Sequence, residues 1–129
     1  MGATKIMVIR HAEKPASPPT ASDPGLNPDG SVPPDLGPEL LTARGWARAR
    51  ALVDLFAPPS GPKAPLATPQ LLFASDPNSK PDDDTGDEGP SRRPFQTLSP
   101  LAAKLGLPTI NTGFRKKTLR QDGEGWVGL

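Results

Sequence analysis

Lys5-Ile6-Met7-Val8-Ile9-Arg10-His11-Ala12-Glu13 is the stretch whose reading decides the fold. Ile6 to Ile9 is a continuous apolar run rather than an alternating one, the pattern of a central parallel strand covered on both faces. Its place near the N-terminus makes it the predicted first strand, Lys5 to Ile9, and sets Arg10-His11 at that strand's carboxyl end. In an open parallel sheet, ligands bind beyond the carboxyl ends of the strands, so the pair is a candidate site.

Outward from this strand, residues 15–38 repeat Pro, Gly, Ser and Asp, a composition that forms neither helix nor interior strand and predicts a long surface excursion. Helical punctuation follows. Thr42 is a good N-cap, Leu41 and Trp46 can form a hydrophobic staple, and Pro58-Pro59 ends the segment, which predicts a helix over 43–57. Trp46, Ala49, Val53 and Phe56 recur at helical spacing, joined by Leu52, while Arg44, Arg48, Arg50 and Asp54 form a solvated face with Arg50 and Asp54 as an i, i+4 pair.

Gln70-Leu71-Leu72-Phe73-Ala74 reads as a second buried strand, completing a strand, helix, strand order of the right-handed crossover kind. Residues 76–90 form a polar insertion. Ser91 then caps a second helix with the stripe Leu98, Leu101, Ala102 and Leu105, kinked at Pro100 and closed by Gly106. Thr109-Ile110-Asn111 is a short third strand, and the chain beyond Gly113 is basic and glycine-rich.

Composition bounds the possibilities. The 129 residues fit a single domain, and 34% apolar content with 19 prolines confines the core to a few short segments. A net charge of +1 gives no whole-domain attraction to nucleic acid or to a membrane, and no run approaches a membrane span of about 20 apolar residues. The absence of cysteine excludes disulfides and thiolate metal sites and suits a cytoplasmic protein. The acidic run from Asp82 to Glu88 lacks the spacing of a calcium loop. The cluster Arg115, Lys116, Lys117 and Arg120 lacks the interleaved aromatics of a nucleic-acid module and reads as a solvated tail.

His11, the only histidine, can attack a phosphoryl phosphorus if it is neutral at one ring nitrogen and held by a hydrogen bond at the other. Guanidinium groups grip the equatorial phosphoryl oxygens of such a transition state. Arg10 and Arg93 suit that role. Arg93 stands early in a helix, where a cation opposes the helix dipole and hints at a bound anion. The first-turn N–H groups of that helix are expected to point at the same crevice. Alone, a histidine after a strand is ordinarily structural, so the weight rests on the combination.

Ile6-Met7-Val8-Ile9-Arg10-His11-Ala12-Glu13 resembles the first-strand motif of the histidine phosphatase, or phosphoglycerate mutase-like, superfamily. Leu41-Thr42-Ala43-Arg44-Gly45 is similar to the family's start of helix one, and Arg93-Pro94-Phe95-Gln96-Thr97 to its second arginine motif. The three blocks occur in the family's order across roughly residues 4 to 112. The resemblance implies a three-layer α/β/α domain with a mostly parallel sheet and phosphomonoester hydrolysis or transfer through a phosphohistidine on His11. By the same resemblance Arg10 and Arg93 clamp the phosphate. Glu13 and Lys14, close behind the nucleophile, line the substrate pocket. No metal or organic cofactor is implied. The substrate expected is a phosphorylated small molecule or a phosphoprotein.

The family uses a second histidine late in the chain and a proton donor after the third strand, and this sequence matches neither. The expectation is therefore an N-terminal, incomplete portion of such a domain over 1–129, with apolar sheet surface that favours self-association. A non-catalytic phosphate-binding or interaction fragment is the alternative.

Overall fold

The computed structural model describes residues 5–77, 91–107 and 110. Helix α1 spans Ala43–Phe56. It begins where the sequence predicts, because Thr42 holds an extended backbone and its Oγ1 accepts the Gly45 N–H at 3.1 Å. Such a cap is worth about 1 kcal/mol. The Ala57 N–H closes the last turn on the Val53 carbonyl before Pro58 ends the helix. Gly45, Trp46, Ala49 and Phe56 are its buried residues, close to the predicted stripe. Arg50 and Asp54 do not form the expected ion pair; the ion pair seen among the described residues is Glu13 with Arg48.

Helix α2 spans Arg93–Leu105. Its cap position is Arg92, one residue later than expected, and Ser91 contributes only a long contact from the Arg93 N–H to its Oγ, 3.4 Å. Pro94 fits the first turn, where the missing N–H has no helical partner to lose, and Pro100 interrupts the ladder further along. The end is a Schellman motif. Gly106 takes φ 67°, its N–H reaches the Ala103 carbonyl, and the Leu107 N–H reaches that of Ala102.

The two helices pack on each other, and the core divides into two clusters. One joins Phe56 of α1 to Leu98, Leu101 and Ala102 of α2, with Leu72, Ala74 and Ile110 added and Met7 resting against it. The other joins Trp46 and Ala49 to Leu41 and Ala12, with Leu26 alongside. Leu26 belongs to the proline-rich excursion, which is tied down rather than loose. The Trp46 indole N–H donates to the Leu26 carbonyl at 3.0 Å, and the Leu26 N–H to the Leu41 carbonyl at 2.8 Å.

The three-layer α/β/α architecture with its parallel sheet is not formed: the described residues contain two helices and no strand. An isolated antiparallel bridge between Thr20 and Asp23 is a turn closure, not a ladder. The expected strands at 5–9 and 70–74 lie on the helices by alternate residues. Leu72 and Ala74 are buried, whereas Leu71 and Phe73 are 66% and 50% exposed; Met7 touches the core, whereas Ile6 and Val8 are 82% and 91% exposed. A continuous apolar run predicts burial on both faces, and here one face is covered. A parallel ladder needs a second backbone in register and a covering layer on each side, and among the described residues both helices serve one face only. Of the expected third strand, residues 109 and 111 lie outside the described residues, as do the acidic run 82–88 and the basic cluster 115–120.

Candidate functional site

Ala12 and Glu13 are pinned between the starts of the two helices. The Ala12 N–H donates to Thr97 Oγ1 at 2.9 Å, and Thr97 Oγ1 in turn donates to the Arg93 carbonyl at 2.7 Å. On the other side, the Glu13 carbonyl accepts from the Thr42 N–H at 3.0 Å and from Thr42 Oγ1 at 3.4 Å. Gly45 makes this approach sterically feasible, because a Cβ there would stand 2.4 Å from the Glu13 oxygen. Ala12 and Thr97 are each 3% exposed. An unsatisfied N–H at such a place would cost about 1–3 kcal/mol, so the Thr97 hydroxyl is part of what allows the segment to sit there.

The same segment orients His11. Its Nδ1 lies 2.8 Å from the Ala12 carbonyl oxygen. A carbonyl has no hydrogen to give, so Nδ1 is the donor, and in the neutral ring Nε2 carries the lone pair. The residue is half-buried.

The residues expected to surround it are brought together unevenly. Arg10 directly precedes His11 and is exposed. Arg93 stands in the first turn of α2, two hydrogen bonds from the Ala12 backbone through Thr97. Its Nη1 donates to the Pro38 carbonyl at 2.7 Å, which ties the guanidinium to the end of the proline-rich excursion. Lys14 is exposed and makes no ion pair among the described residues.

Glu13, expected to line a substrate pocket, instead turns to α1, its Oε1 2.6 Å from Arg48 Nη2. Burial pushes its carboxyl pKa up. Backbone hydrogen bonding, the Arg48 hydrogen bond and charge, and the charge of Arg44 together outweigh that and hold it below the ordinary value. Arg48, read from sequence as solvated, thus acquires a specific partner. The anion site expected from the first-turn amides of α2 is also reduced, since Pro94 has no N–H, that of Arg93 is taken by Ser91, and that of Arg92 by the Glu39 carbonyl at 3.2 Å.

Thr97 and Gln96, to which the sequence reading gives no role, are both buried and both tie a loop to α2. Gln96 Oε1 accepts the Leu41 N–H at 3.1 Å, fixing the entry to α1. The available signal was two adjacent polar residues in register with the apolar stripe at Leu98 and Leu101. A cleft of about 450 Å³ opens between the 27–40 segment and α2, with Asn27, Asp35, Glu39, Arg92, Phe95 and Gln96 among its walls; Arg10, His11 and Arg93 do not line it. Among the described residues, no group of three or more His, Asp or Glu side chains is placed to hold a metal ion. Likewise, no helix is long and apolar enough to cross a membrane.

Compared with protein-family models, with curated proteins and with solved structures, the chain finds no match.

Proposed function

We propose that the protein is a histidine phosphatase-type phosphomonoesterase that accepts a phosphoryl group on His11. The observation that carries this reading is the hydrogen bond from His11 Nδ1 to the Ala12 carbonyl, which leaves the Nε2 lone pair as the nucleophile. Nε2 forms the N–P bond as the ester P–O bond breaks, and the departing oxygen takes a proton from solvent. Water then attacks phosphorus, the N–P bond breaks, and inorganic phosphate leaves with the ring restored. Arg10, adjacent in sequence, and Arg93, whose backbone is linked to Ala12 through Thr97 and whose guanidinium would have to leave the Pro38 carbonyl, supply the positive charge that the three equatorial oxygens require. The substrate class is a phosphorylated small molecule or a phosphoprotein. A cytoplasmic setting accompanies the reading and accords with a chain free of cysteine.

Acid-labile, base-stable phosphate trapped after incubation with a labelled aryl phosphate is the expected result for the wild-type chain and is lost in His11→Ala. Label that persists in His11→Ala overturns the assignment. A second reading, phosphate binding without turnover, is favoured by one fact: the chain has a single histidine, so no second imidazole shares the developing charge. Orthovanadate binding with no label on His11 is its signature.

A further inference from the structure

We infer that Thr97 is a positioning residue for His11, acting through Ala12 to fix the imidazole in the Nδ1–H tautomer and so to present Nε2. The functional meaning of this inference rests on His11 being the phosphoryl acceptor; its structural content does not.

A threonine inside a helix often donates back to the carbonyl four residues earlier, and the 2.7 Å bond from Thr97 Oγ1 to the Arg93 carbonyl has that form. That habit needs no outside partner. Thr97 has one, because with its own hydrogen committed to Arg93 the hydroxyl can only accept from Ala12, and it does so at 2.9 Å across 85 residues of sequence. Both polar ends of Ala12 are then assigned, the N–H to Thr97 and the carbonyl to the His11 ring at 2.8 Å. Rotating or shifting Ala12 would withdraw the acceptor that selects the tautomer. One buried hydroxyl therefore sets the direction of Ala12, and Ala12 sets which ring nitrogen bears hydrogen. The hydroxyl also fixes the distance between this segment and the turn of α2 that carries Arg93.

His11 is the only histidine, so a long-range ¹H–¹⁵N correlation spectrum of the full chain shows one imidazole and reads its tautomer without assignment. On the neutral ring, the wild type is expected in the Nδ1–H form. Thr97→Val keeps the shape and removes the hydroxyl. It is expected to move the ring toward the Nε2–H form and to weaken orthophosphate binding about ten-fold, with α-helical circular dichroism retained. Thr97→Ser keeps the hydroxyl and is expected to behave as wild type.

A wild-type ring in the Nε2–H form overturns the inference without recourse to any variant, which covers the case in which Thr97→Val does not fold. So does a folded Thr97→Val with wild-type tautomer and phosphate affinity, or a Thr97→Ser that behaves like Thr97→Val. Failure of the phosphatase reading shows elsewhere, as absence of His11-dependent label while the tautomer still follows Thr97.

Discussion

Glu13 is held below its ordinary carboxyl pKa of 4.5 by interactions present only in the fold. A carboxylate depressed in this way contributes stability above its unfolded pKa and loses it as pH falls through the folded value. The Glu13–Arg48 pair should therefore support the protein at neutral pH, begin to lose that contribution as pH falls below about 4.5, and lose it fully below the lower folded value. Because Arg48 is well exposed, the contribution is at most about 1 kcal/mol. Glu13→Gln is expected to lower the melting temperature modestly at pH 7 and by progressively less as pH is lowered below 4.5, measured by thermal denaturation across that range. The ion pair was not legible in the sequence. Thirty-five positions separate Glu13 from Arg48, and helix periodicity alone gave Arg48 a solvated face.

At the scale of elements, α1 and α2 were readable because their signals are local. Thr42, Gly106 and the Leu98–Leu101–Ala102 stripe act within a turn or two of themselves, and each does in the structure what the sequence indicated. Gly45 tests how α1 meets the Glu13 backbone. Alanine in a helix interior gains about 1 kcal/mol over glycine, so propensity alone predicts that Gly45→Ala stabilises. The Glu13 carbonyl oxygen, which an added Cβ would meet too closely, decides otherwise, because the neighbour is backbone and cannot rotate away. A net loss of about 1–3 kcal/mol is expected in urea denaturation. If Gly45→Ala is more stable than wild type, the close approach of α1 to Glu13 is wrong.

At the scale of the whole molecule, Ile6, Val8, Leu71 and Phe73 form apolar surface that the two helices do not cover. Surface of this kind favours association, and contact between copies through it is the expected outcome. Sedimentation velocity is expected to show concentration-dependent association that Ile6→Ser combined with Val8→Ser reduces; a monomer across the accessible range would count against that contact. The sequence by itself determined the two helices, the Thr42 cap of α1, the Gly106 end of α2 and the adjacency of Arg10 to His11, since each depends on neighbours a few residues away. It did not determine whether 5–9 and 70–74 pair as strands, which they do not, because an apolar run has the same composition whether one face or both are covered, and a ladder is a non-local bond. Nor could it specify the orientation of the His11 ring. That depends on Thr97 meeting Ala12 across 85 residues, a hydrogen bond that exists only once α2 has packed against α1 and the buried amide has found its acceptor.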